Sequence, residues 1–285
     1  MMRTARLSAV AIALLGVALA AGAAGEPAPD ELPASTADHS RFKVLQRSFS
    51  SGPEVTQACL SCHTEAARQI MRTEHWTWEF RSPQGQLLGK RHVINNFCTS
   101  IASNEDDCAA CHIGYGWQDD AAYFASQDKV DCLVCHDTTG RYSKPLGFYG
   151  NVITKDTEYP AGSGKIIRAV NLQQIAQRVG QPTRTTCGAC HFYGGGGDGS
   201  KHGDLDSSLE APDESLDVHM NADGLNFTCE TCHATQGHRV PGSRYAPTAR
   251  DTRGAQMRGR HDAGNPATCQ SCHGLAPHKT LAKLN

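Results

Sequence analysis

The sequence predicts a mainly helical fold with extensive loops and a core that side chains alone do not fill. Three observations predict it. Of the 285 residues, 39% are apolar and 6% are Phe, Trp or Tyr, which is little bulk for an interior of this size. Apolar positions recur at helical spacing in two segments, and no run alternates as a strand would. Twelve of the thirteen cysteines fall into six copies of one five-residue pattern.

The copies are Cys59-Leu-Ser-Cys62-His63, Cys108-Ala-Ala-Cys111-His112, Cys132-Leu-Val-Cys135-His136, Cys187-Gly-Ala-Cys190-His191, Cys229-Glu-Thr-Cys232-His233 and Cys269-Gln-Ser-Cys272-His273. Six copies are far beyond chance, and the spacing has a chemical reason. Two thiols at this separation reach the two vinyl groups of one haem, and the next His lies under the iron as its proximal ligand. Zinc ribbons also pair Cys-x-x-Cys units, but zinc does not require His at the next position every time. Thioredoxin-like redox sites use one such unit. Six covalent haem c groups, each with its iron, are therefore expected, and their macrocycles supply the missing core. The expected fold is a multihaem cytochrome c, mainly α, with a haem-packed core.

From the N-terminus, Arg3 and Arg6 form a basic n-region, Leu7 to Leu19 an apolar h-region, and Ala20 to Gly25 a small-residue cleavage site. Residues 1–25 are thus expected to be a secretory signal peptide that directs the chain to the periplasm. An uncleaved anchor is the alternative, disfavoured by the shortness of the run. Residues 26–40, rich in Pro, Ala and acid, read as a mobile lead-in, and residues 41–285 as the multihaem domain. Thr56 is placed to cap a helix from Gln57 to about Thr73, and Ala169 to Val179 has helical spacing closed by Gly180 and Pro182. The motifs start 49, 24, 55, 42 and 40 residues apart, so they form no simple repeat. The second and third are closest, which predicts neighbouring haems. The glycine-rich stretch 194–206 is too irregular for helix or sheet and is expected to let backbone approach a porphyrin closely.

Cleavage after residue 25 would remove two Args and no acid, leaving 25 basic against 29 acidic residues. Haem propionates add further negative charge. Nucleic acid is therefore excluded as a natural partner.

Eight histidines remain for the distal sides of the irons: His39, His75, His92, His202, His219, His238, His261 and His278. An electron-carrying haem usually takes a second axial side chain, so this surplus favours bis-His ligation. His75 lies in His75-Trp-Thr-Trp78, His202 in the glycine-rich loop, and His219 and His238 bracket the fifth motif. His278 follows the sixth and His39 precedes the first. His92 and His261, beside charged residues, look solvent-facing. Cys98 is the thirteenth cysteine, either buried and inert or reactive at a site.

Several stretches resemble the octahaem tetrathionate reductase family of periplasmic multihaem cytochromes. They are 187–206, Asp217-Val-His-Met220, 130–140 and His75-Trp-Thr-Trp78, within a likeness running from about His39 to Asn285. The resemblance implies bis-His haems that carry electrons to one catalytic haem, that of the second motif, with a Lys as distal ligand. It also implies activity on tetrathionate, nitrite or hydroxylamine. Here that haem would hang on Cys108 and Cys111 above His112, with Lys144 as the candidate Lys and Lys129 as the alternative. Cys98 and Asp131 are the further catalytic candidates. The partners expected are a periplasmic or quinol-linked electron donor and a small anionic substrate, with homo-oligomerisation left open. The family carries eight haems and this sequence six motifs, so a C-terminally short member or a fragment is expected.

Overall fold

The computed structural model describes residues 37–82, 84–92, 105–192, 197–200, 203–233, 235 and 237–240. The expected signal peptide, Cys98, His202, His261, His278 and the sixth motif lie outside them. Asp38 caps a 3-10 turn over His39–Arg41.

Helix α1 spans Gly52–Leu60, with Pro53 in its first turn, where a missing N–H removes no helical bond. It runs into the first motif, and the His63 amide closes on the Cys59 carbonyl at 2.9 Å. A turn separates it from α2 (Ala66–Ile70). The single helix expected over 57–73 is thus two. Thr56 is no cap: it is buried within α1, and its hydroxyl donates to the Val130 carbonyl at 2.6 Å. A helix cap needs a residue at the end of the helix, and Pro53 has already moved the start upstream.

Helix α3 (Glu74–Thr77) ends on Trp78, which takes the left-handed conformation at φ +54°. The second motif is built from α4 (Glu105–Cys108) and a 3-10 turn over Ala109–Cys111. Asp120 caps α5 (Ala121–Ala125) by accepting from the Tyr123 amide. Helix α6 (Leu133–His136) holds the third motif. Helix α7 (Leu172–Ala176) is shorter than the expected 169–179, because Asn171 caps it and the Gly180 amide donates to the His136 carbonyl. A Thr183–Thr186 capping box starts α8 (Arg184–His191), which ends in the fourth motif, and α9 (Cys229–Cys232) holds the fifth. Among the described residues, strand is confined to two short antiparallel pairs, β1 (Phe80–Arg81) with β2 (Leu87–Leu88) and β3 (Thr157–Glu158) with β4 (Ile166–Ile167).

Two apolar clusters organise these pieces. One gathers Ala67, Ile70, Trp76, Ala109, Ile113, Trp117, Tyr123, Val130 and Val134; the other gathers Leu45, Phe49, Val55, Ala58, Leu133, Leu172, Ile175 and Ala176. Helix α6 joins them, with Leu133 buried in one and Val134 in the other. The third motif is therefore clamped between both clusters.

Candidate haem-binding site

Each described motif lies on or at the end of a helical turn. Residues three apart in such a turn share a face, so both thiols of a motif point the same way and the His follows them. None of the ten described motif cysteines is joined in a disulfide. Thiols of different motifs meet: Cys59 with Cys132, Cys111 with Cys190, and Cys187 with Cys229. These contacts join the first motif to the third, the second to the fourth, and the fourth to the fifth. The second and third, adjacent in sequence, are tied instead by hydrogen bonds such as Asp131 amide to Ile113 carbonyl at 2.8 Å.

Three motif histidines face a histidine from elsewhere in the chain. The ring centres of His39 and His63, of His75 and His191, and of His136 and His238 are each 6.3 Å apart. With metal–nitrogen bonds of about 2 Å on each side, two imidazoles sharing one metal have ring centres roughly 6 Å apart. The pairs therefore fit two axial ligands of one haem iron. Hydrogen bonding agrees. His136 Nδ1 lies 2.7 Å from the Gly180 carbonyl, His191 Nδ1 2.6 Å from the Gly203 carbonyl, and His238 Nδ1 2.7 Å from Gln69 Oε1. Engaging Nδ1 fixes the ring and leaves Nε2 for a metal. Burial and the neighbouring imidazoles lower the pKa of His75 and of His238, favouring the neutral form that ligates.

The second motif is different. His112 is fully buried, and its ring contacts Trp76, Trp78, Trp117 and Tyr123, with centroids 4.7–5.8 Å away. None of these neighbours is a histidine. Its Nε2 lies 2.6 Å from the Trp76 carbonyl and its Nδ1 3.1 Å from the Tyr123 hydroxyl. Burial pushes its pKa down to about 3, with the Lys144 charge adding to the effect. Trp76 also lines a cleft of about 350 Å³ with Thr77, Glu79, Arg91 and Phe124.

Lys144 does reach this motif. Its side chain is 1% exposed, its Nζ is 3.2 Å from Asp131 Oδ2, and it donates to the carbonyls of His112 and Gly114. It is thus held at the backbone of the motif and not in front of His112 Nε2. The Lys129 ammonium lies beside Gly116. Asp131 is buried and fully engaged. Oδ1 accepts from the Tyr115 hydroxyl (2.7 Å) and the Val134 amide (3.1 Å), and Oδ2 from the Tyr142 hydroxyl (2.7 Å). Burial and the Asp131 charge raise the pKa of both tyrosines. Burial, with Asp131, pushes the Cys135 thiol up to about 12.

Of the distal candidates, His39, His75 and His238 are brought to motif histidines. His219 lies beside Phe227, ring centres 6.0 Å apart, and near Asp217. His92 pairs with Glu79 at 2.8 Å, as its charged surroundings suggested. The aromatic enclosure of His112 was missed, although Gly114-Tyr-Gly-Trp117 directly after the second motif was a signal for it. Gln69 and the Gly180 and Gly203 carbonyls, which orient imidazoles, carry no local sequence mark.

No family model matches the chain. A protein of uncharacterised function from Archaeoglobus fulgidus is 25% identical over 294 residues, covering 88% of this chain and 96% of its own. An octahaem cytochrome c from Shewanella oneidensis is similar in structure, with a TM-score of 0.64 and 42% identity, over 87% of this chain and 50% of its own. The chain spans about half the length of that cytochrome. The likeness supports a multihaem cytochrome c relationship.

Proposed function

We propose that the protein is a periplasmic multihaem c-type cytochrome, with six haem c groups, that reduces a small sulfur or nitrogen compound at the haem of its second motif. Tetrathionate, nitrite and hydroxylamine are the substrates that the resemblance implies. A periplasmic or quinol-linked donor supplies the electrons. The solved octahaem cytochrome supports the redox role, at the level of a multihaem electron-transfer or redox protein.

The observation that carries the reading is the contrast at His112. The pairs His39/His63, His75/His191 and His136/His238 are spaced to hold one haem iron each from both sides, which would leave no place there for substrate. His112 faces aromatic rings instead. A bound haem supplies a one-electron centre there. The chain's own residues supply the rest. The aromatic walls exclude water, which strengthens electrostatic interactions inside. Lys144 brings a cation and a proton donor toward an anionic substrate. As a distal ligand, its amine would have to leave Asp131 and lose its proton.

A second reading, a non-catalytic electron-transfer protein, is favoured by one observation: Lys144 is tied to Asp131 and to the carbonyls of His112 and Gly114. Assay of the purified holoprotein with reduced dye against the three substrates decides between them. The enzyme reading expects turnover of at least one, largely lost in Lys144→Met with haem content unchanged. No turnover of any of the three leaves the electron carrier.

A further inference from the structure

Among the described residues, one buried side-chain nitrogen has no hydrogen-bond partner, the indole nitrogen of Trp117. The residue is 4% exposed, so bulk solvent does not reach this donor. A buried N–H left unpaired keeps its full desolvation cost, and native proteins rarely leave one without reason. Its position supplies the reason. Trp117 is five residues beyond His112 in the chain, and its ring lies 4.7 Å from the imidazole at 67°. Gly116, at φ +64°, makes the turn that returns Trp117 to the motif, and the Trp117 amide is fixed on the Tyr149 carbonyl at 2.8 Å. Trp78 stacks on Trp117 at 4.5 Å from a left-handed backbone that a bulky residue rarely adopts. Backbone anchor, stacking and strain all hold the indole in place while its donor goes unused.

We propose that Trp117 Nε1–H is a dedicated hydrogen-bond donor to an anionic oxygen at the second-motif haem. The acceptor is an oxygen of a small bound oxyanion or of a haem propionate, which share one chemistry. An indole N–H only donates, so it selects an oxygen acceptor over an ammonium, which cannot accept. The proposal rests on the reading of the second motif as a haem site; it does not require that the haem be catalytic.

Two variants of the full-length holoprotein test it. Trp117→Phe removes the donor and keeps a ring. Replacing Trp117 by its sulfur isostere, 3-benzothienylalanine, removes the donor and keeps the bicyclic shape, so a folding defect in the first variant does not end the test. Haem content is checked by mass. Nitrite is titrated into the ferric protein by optical spectroscopy, and haem midpoint potentials are measured by potentiometry without nitrite. If the acceptor is a bound oxyanion, the nitrite dissociation constant rises by on the order of 10–100-fold. If it is a propionate, the potential of one haem falls because its carboxylate charge is less compensated, and nitrite affinity holds. In a haem-replete isostere variant, unchanged affinity together with unchanged potentials overturns the proposal. A wild-type protein that shows no nitrite response at any haem defeats the substrate site proposed above, and the potentials alone then decide the role of Trp117.

Discussion

The second motif and the third share a five-residue pattern and adjoin in sequence, yet they are built into different surroundings. His136 of the third has Nδ1 on a backbone carbonyl and a second imidazole 6.3 Å away. His112 of the second has both nitrogens engaged by protein and aromatic rings around it. The pattern specifies the attached group in both cases. What surrounds the pattern differs: among the described residues, a second imidazole faces His136, and aromatic rings pack on His112.

The largest effects should come from breaking an imidazole pair. In His75→Ala and in His238→Ala, one low-spin ferric haem should become high-spin while the others hold. Ring orientation sharpens this. The His75/His191 and His136/His238 planes are close to perpendicular, at 87° and 78°, and the His39/His63 planes are 15° apart. Near-perpendicular axial imidazoles give a highly anisotropic low-spin electron paramagnetic resonance signal, and near-parallel ones a rhombic signal. His75→Ala and His238→Ala should each delete an anisotropic signal, and His39→Ala a rhombic one. Loss of the same signal from all three would contradict the pairing.

Asp131→Ala should come next. It leaves the Lys144 ammonium buried without its counter-charge and unties Tyr115, Tyr142 and α6 together. Removing one partner of a buried pair typically costs about 3–5 kcal/mol. Denaturant unfolding of the holoprotein would measure it, and a loss below about 1 kcal/mol would show that the cluster holds nothing together.

The motifs were legible because the chemistry of haem attachment is local, confined to five residues. His75 and His238 were legible as ligand candidates from their neighbours, two tryptophans and the fifth motif. Their partners were not, since His191 and His136 are matched to them only by tertiary packing. The same holds for Thr56, whose sequence context suits a cap while the fold spends its hydroxyl on Val130. The expected adjacency of the second and third haems followed from sequence spacing, whereas the thiol contacts follow the fold and couple the second motif to the fourth. Helices α1 and α2 read as one because the apolar period continues across the motif that interrupts them.

Smaller effects probe orientation alone. Gln69→Leu removes the acceptor that holds His238 Nδ1. The haem should stay low-spin, but added cyanide should displace its distal ligand more readily, by on the order of 10–100-fold. An unchanged cyanide titration would remove Gln69 from the ligand's support. The smallest effect belongs to His92, paired with Glu79 at the surface. His92→Ala should alter no haem signal and change stability by less than about 0.5 kcal/mol. A spin-state change there would make His92 a ligand and break the contrast with the paired histidines.

The contrast itself is tested most directly by the electron paramagnetic resonance spectrum of the ferric wild-type holoprotein, recorded with and without nitrite. The account predicts at least one rhombic and two highly anisotropic low-spin signals that nitrite leaves untouched, together with a further haem signal that nitrite changes. Paired-imidazole signals that respond to nitrite, or a spectrum in which no signal responds, would contradict it.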